Sequence, residues 1–384
     1  MTTAFRAPDA VAPSLSVALT GEWAALLQRV RALATDRLAP LANATDQLPR
    51  LPRERLDWLA ELGLAGLTVP RAAGGLEAPA AVQAACTEEL AAACGVTTFV
   101  WQQHLAACHL VTRATNASLR AELLPRMAAG ACWCGVAFSH LRRPGPAALR
   151  VVPRGDTYVF EGTAPWVTGF GILDDVVLAG TLPDGQSLYA IVPFAPSAAL
   201  IPSAPLRLCA MNGSSTVALT CRALRVPAER CLFTTTPAAM AARDRAGTLK
   251  PTALTFGVAR AADELVRDRA TAQGDPALAT VAEALADELG AARQAVAAWA
   301  ARPMDDAWFP HALRLRAWAI ALAVRHAHAA VAACGGSANS LDHTAQRLYR
   351  EALLYTVLTQ TPAVREATLA ELAASARRAT AEAP

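Results

Sequence analysis

Between Ala131 and about Phe233 the chain changes texture, and that change constrains the fold more than any other feature of the sequence. On either side, alanine and leucine recur at helical spacing. Within it, proline and glycine divide short runs rich in β-branched and aromatic residues, the pattern of strands joined by turns. Asp175–Leu182 and Ser187–Phe194, linked through Pro183-Asp184-Gly185, read as a hairpin. Tyr158 and Phe160 alternate with polar neighbours, and Thr216–Cys221 is a further strand. Upstream, Ala24–Leu38 reads as a helix with Pro40 as its stop. Helices at Leu56–Leu62, Pro79–Ala93, Thr98–Ala114 and Leu119–Ala129 follow. Downstream of Pro237, Leu278, Val281, Leu285 and Leu289 repeat at three- and four-residue steps. So do Leu341, Ala345, Leu348, Ala352 and Tyr355, and both sets predict buried stripes on long helices. The expected fold is mainly α with a central β domain. A helical domain covers residues 1–130, a β domain residues 131–236, and a bundle of four long helices residues 237–384.

Composition removes several function classes. With 54% hydrophobic and 17% charged residues, disorder is excluded as the main state. A net charge of +3 gives no field that would draw nucleic acid or an anionic membrane. The most apolar stretch, Ala317–Val324, is bounded by Arg316 and Arg325 and reads as a buried helix face rather than a membrane span. Arg6 and Asp9 lie among prolines in an N-terminal segment without a hydrophobic signal region, so a cytoplasmic location is expected. Nine cysteines without a CxxC pair suggest neither a zinc site nor a disulfide framework. Cys132 and Cys134 flank Trp133, fall on one strand face, and read as buried thiols.

Five segments, in order, resemble the acyl-CoA dehydrogenase family across nearly the whole chain. They are LDWLAELGLAGLTVPRAAGGLEA (Leu56–Ala78), LRAELLPRMAAG (Leu119–Gly130), APWVTGFGILDDVVLAG (Ala164–Gly180), MNGSSTVALTCRALRVPAERCL (Met211–Leu232) and CGGSANSLDHTAQRLYREA (Cys334–Ala352). The resemblance implies an N-terminal helical domain, a middle β-barrel domain and a C-terminal four-helix bundle. It also implies bound FAD, an acyl thioester substrate and a homodimer or homotetramer.

By that resemblance, Ser139 and Thr168 would supply hydroxyl contacts to the flavin, and Trp166 would pack on its rings. Gly335 and Gly336 would approach the nucleotide half, with Arg269 on the adenine side. A reduced flavin accumulates charge that preorganised donors stabilise, which is why such positions matter. Read alone, Trp166 and Val167 are strand core, and Gly335–Gly336 is an interhelix turn.

The pattern breaks where the chemistry is most demanding. Family dehydrogenation needs a carboxylate to take the proton α to the thioester. Counting from Arg350 and Glu351 places that position at Thr359, whose hydroxyl is far too weak an acid for its conjugate base to serve. The alternative family location falls near Gly247. His104 and His140 are candidate replacements, because imidazole can act as a base near neutral pH; each is equally readable as a packing histidine. Asp305 and Asp306 read as solvated loop residues. The expected CoA-holding loop is replaced by SHLRRPGPAAL (Ser139–Leu149), where Arg142 and Arg143 could meet a phosphate, conceivably of a carrier-bound substrate. Three functions remain open: an acyl thioester dehydrogenase, a flavin monooxygenase supplied by a flavin reductase, and a non-catalytic partner subunit.

Overall fold

Leucine and alanine spacing builds the first helices, and a computed structural model describes them within residues 20–381. Arg6, Asp9 and their neighbouring prolines lie outside the described residues. Helix α1 (Glu22–Leu33) runs into a π turn (Ala34–Leu38), a 3-10 turn (Ala39–Leu41) and α2 (Ala42–Gln47). Pro40 therefore does not stop the helical course. It occupies the start of the 3-10 turn, where its missing N–H leaves no bond unmade. Helices α3 (Glu54–Glu61), α4 (Ala80–Ala93), α5 (Gly95–Thr112) and α6 (Ala117–Ala128) follow the sequence expectation closely. Gly63, at φ 76°, follows α3 in the left-handed conformation that favours glycine after a helix. The Asn116 side chain accepts from the Leu119 N–H at 3.1 Å and caps α6.

The strands are β1 (Cys134–Ala137), β2 (Leu149–Arg154), β3 (Thr157–Val167), β4 (Asp175–Thr181), β5 (Ser187–Pro193), β6 (Leu200–Pro202), β7 (Val217–Pro227) and β8 (Cys231–Thr235). They form one mixed sheet in the order β6-β7-β3-β2-β4-β5-β8, with β1 added parallel to β4. The β4–β5 hairpin is present as expected, in register from Asp175 opposite Pro193 to Thr181 opposite Ser187. Ala107, Val111, Leu123 and Met127 from α5 and α6 share a core with Cys134, Val177, Ile191 and Leu232 from the sheet. Covering by helices explains why β4 and β5 read as nearly continuous apolar runs. Cys132 and Cys134 are buried free thiols.

Residues 28–245 form one compact unit; the described residues up to Leu27 and the chain from Ala246 onward form a second. Helix α7 (Pro237–Ala246) leads to the bundle of α8 (Thr252–Gln273), α9 (Pro276–Ala300), α10 (Trp308–Cys334), α11 (Thr344–Val357) and α12 (Pro362–Ala381). Gly274, at φ 61°, ends α8, and Asp275 caps α9 by accepting from Ala277 and Leu278. By length and composition, α10 is apolar enough to cross a membrane, but half of its apolar window is buried. It packs against α8, α9, α11 and α12 as the central helix of the bundle.

Two stripes need adjustment. On α9 the buried face runs Ala282, Leu285, Leu289 and Ala292, whereas Val281 is 41% exposed. A helix turns about 100° per residue, so spacing fixes a face only to its nearest neighbour. Leu341 is 65% exposed because α11 begins only at Thr344; the remaining four positions of that stripe are buried.

Candidate functional site

In the sheet-containing unit, a register shift between β3 and β7 sets the geometry. Ala164 pairs with Leu219 and Val167 with Val217, so β3 carries one extra residue over this interval. Such a bulge re-aims side chains. Trp166 is turned outward with 46% of its surface exposed, and Thr168, just beyond the strand, is buried. Its Oγ1 lies 2.9 Å from Thr216 Oγ1, which lies 2.9 Å from Ser214 Oγ. Met211 and Ser215, at φ 63° and 49°, bend the approach to β7 so that these hydroxyls meet. The Gly169 and Phe170 N–H groups donate to the Ser214 and Ser215 carbonyls, tying the two segments together.

The segment after Thr168 is also clamped from the helical side. Arg50 donates to the Gly171 carbonyl at 3.1 Å and Arg53 to that of Ile172 at 2.9 Å. Arg53 also pairs with Asp174, which accepts the Trp133 N–H. Burial would raise the Asp174 pKa, but the Arg53 and Trp133 hydrogen bonds outweigh it and hold the carboxyl below its usual range. Ser139 is exposed at the start of a 3-10 turn that follows β1 and packs against β3. The fold thus brings Ser139 to the strand bearing Trp166.

Neither candidate histidine, His104 or His140, stands open. His104 is fully buried: its Nδ1 accepts the Cys134 N–H at 3.1 Å, and its Nε2 lies 3.1 Å from the Ala65 carbonyl. A backbone N–H aimed at Nδ1 leaves no room for a second ring proton, so the ring is neutral with hydrogen on Nε2. Burial, only partly offset by carbonyls, pushes its pKa down to about 4. His140 is 4% exposed, with Nε2 2.9 Å from the Ala179 carbonyl and Nδ1 without a hydrogen-bond partner among the described residues. Burial lowers its pKa too. Both environments suit packing histidines. Arg142 is committed to Asp244 through two contacts of 2.7 Å, which removes it as a ready phosphate ligand.

In the bundle unit, Gly335 takes φ 62°, and a Cβ built at Gly335 or Gly336 would meet nothing within 4 Å. Arg269 lies close enough to Cys334 to oppose the burial that raises that thiol's pKa. Its Nε is buried without a partner among the described residues. The charge of Arg269 thus reaches the end of α10, where the glycine pair begins, which spacing alone did not reveal. Thr359 is exposed just beyond α11 at φ 50°, an unusual conformation for a β-branched residue. Arg316, 1% exposed, donates to the Leu358 carbonyl at 3.3 Å. Gly247 lies in the turn before α8, and Asp305 and Asp306 are exposed.

Sequence reasoning missed the Thr168–Thr216–Ser214 chain, although the hydroxyl-rich run Ser214-Ser215-Thr216 was a visible signal. It also missed a buried network in which His326 meets Asp263 at 2.6 Å and Glu288 at 3.4 Å, because its members come from three helices. Within the sheet-containing unit, the outward indole and the hydroxyl chain behind Thr168 fit the face and polar edge of a planar aromatic group; within the bundle unit, the glycine pair leaves its backbone open to close approach. Thr359 offers no carboxylate for proton abstraction.

Known proteins share this architecture. A family model described as the acyl-CoA dehydrogenase N-terminal domain matches residues 20–131. The chain is 26% identical over 359 residues to the probable acyl-CoA dehydrogenase YngJ of Bacillus subtilis, covering 88% of this chain and 93% of that protein. Butyryl-CoA dehydrogenase of Megasphaera elsdenii superposes with a TM-score of 0.79 at 18% identity, covering 92% of this chain and 98% of that one. Dibenzothiophene monooxygenase of Paenibacillus sp. A11-2 does so with 0.76 at 18% identity, covering 89% and 96%.

Proposed function

The chain belongs to the acyl-CoA dehydrogenase family, and from that premise we propose that it is an FAD-dependent oxidoreductase that oxidises an acyl thioester by hydride transfer to flavin N5. The observation that carries the reading is the end of β3, where an exposed Trp166 precedes a Thr168 hydroxyl backed by two more hydroxyls. FAD would supply the hydride acceptor. Trp166 would cover the ring system, Thr168 and Ser139 would donate hydrogen bonds to its polar edge, and Gly335, Gly336 and Arg269 would hold the nucleotide half. Arg50 and Arg53 keep the Gly169–Asp174 segment fixed, which preorganises Thr168. Exposed Tyr349, Leu353 and Val357, spaced four apart on α11, support association with a second copy of the chain.

One observation favours a second reading. Thr359 and the absence of a carboxylate at Gly247 leave the α-proton without its usual base. A monooxygenase receiving electrons from a flavin reductase needs no carboxylate there. The visible absorption spectrum of the purified protein, followed by anaerobic addition of an acyl-CoA panel, tests both. Bleaching by a thioester supports the dehydrogenase. A flavin that ignores thioesters but consumes oxygen after reduction supports the monooxygenase. Failure to hold FAD even after reconstitution overturns both and leaves a non-catalytic partner subunit. If only the base was lost, Thr359→Glu gains acyl-CoA dehydrogenation.

A further inference from the structure

We propose that Thr216 and Ser214 are positioning residues that commit the Thr168 hydroxyl to donate its hydrogen away from the sheet, toward an acceptor atom on the cofactor edge. The inference rests on the flavin reading above and assigns a role to two residues that reading does not use.

The argument is a count of hydrogens. Three hydroxyls carry three hydrogens but make two hydrogen bonds with one another. One hydrogen must therefore leave the chain, at Thr168, at Thr216 or at Ser214. Among the described residues, Ser214 Oγ bonds only to Thr216, Thr216 Oγ1 bonds only to Ser214 and Thr168, and both residues are buried, so a hydrogen leaving from either would be stranded. An unmade buried donor is far more costly than a made bond is favourable. The low-energy order is Ser214 to Thr216 to Thr168, with the last hydrogen leaving from Thr168, the most exposed of the three. Hydrogen bonds in series polarise one another, so the two hydroxyls behind also strengthen Thr168 as a donor.

A committed donor distinguishes oxidation states. Oxidised flavin presents a lone pair at N5, whereas reduced flavin carries a hydrogen there and itself needs an acceptor. To accept that hydrogen, Thr168 must turn its own hydrogen away from the flavin edge and leave it without an acceptor, or the chain must invert and strand the Ser214 hydrogen. The chain therefore holds the flavin potential down.

Dithionite titration of the FAD-loaded protein against an indicator dye reads the midpoint potential, with Thr216→Val, Ser214→Ala, Thr168→Val and the Thr216→Val/Thr168→Val double variant. Thr216→Val should move the potential upward and Ser214→Ala should move it less, in the same direction. In the Thr168→Val background, Thr216→Val should have no effect, and Thr216→Ser should keep the original potential. An equal shift in both backgrounds, or none in either, overturns the proposal while leaving the flavin reading intact. If Thr216→Val does not retain flavin, Ser214→Ala decides the matter by the same comparison. An unmodified chain that never holds FAD removes the flavin reading, and this inference falls with it.

Discussion

His104 and His326 are both fully buried, yet their surroundings shift their pKa values in opposite directions. In the sheet-containing unit, His104 sits between a backbone N–H and a backbone carbonyl, and burial pushes its pKa down to about 4. In the bundle, burial also works against a charge on His326, but hydrogen bonds to Asp263 and Glu288 outweigh it and raise the pKa. Burial tends to raise the Glu288 pKa, but hydrogen bonds from His326, Arg325 and Trp318 bring it to about 2. Burial alone therefore does not fix charge; the partners do. His104 is satisfied by two backbone groups, whereas His326 is satisfied by carboxylates from two other helices.

The sharpest way to break this comparison is His326→Leu, which takes the histidine from buried Asp263 while Glu288 keeps Arg325 and Trp318. A loss of about 3–5 kcal/mol in urea denaturation is expected; a loss below about 1 kcal/mol would mean that the ring is neutral. Next comes pH. For His104 the folded pKa lies below the unfolded value of 6.5, so the unfolded chain binds more protons between about 6.5 and 4. Stability should fall by about 3 kcal/mol as pH drops through that window, and His104→Asn should flatten the fall. His326 works in the opposite sense. Its contribution is complete below its unfolded pKa and is lost as pH rises through its raised folded value.

Arg316 sharpens the contrast within the bundle. Burial without a carboxylate lowers its pKa to about 9, so Arg316→Met should leave stability unchanged or raise it by about 1–2 kcal/mol. A clear loss would mean that the bond to the Leu358 carbonyl outweighs the cost of burying the guanidinium. The smallest effect is expected next door. Thr359→Gly relieves a β-branched residue at φ 50° and should raise the thermal midpoint by an amount equivalent to about 1 kcal/mol.

Much of the fold was legible because the relevant interactions are local. The β4–β5 hairpin follows from two apolar runs around Pro183-Asp184-Gly185, and α3 to α6 follow from alanine- and leucine-rich runs at helical spacing. Pro40 misled because proline forbids a helix interior but not the first residue of a new turn. Val281 misled because its side of α9 has no packing partner. The site was legible only as positions. Trp166, Thr168, Gly335 and Gly336 could be named from resemblance, but nothing in their spacing said which neighbours would meet them.

By itself, then, the sequence determined the helical, strand and helical order, the hairpin and the absence of a carboxylate at Thr359. Those depend on backbone preferences and on residue identity, which are properties of short segments. The tertiary structure decided the rest: Thr216 and Ser214 behind Thr168, the Arg269 charge acting on Cys334, Arg142 on Asp244, and the opposite pKa shifts of His104 and His326. Each joins groups on different elements, and the free energy of a buried polar group depends on which partner arrives, not on its own place in the chain.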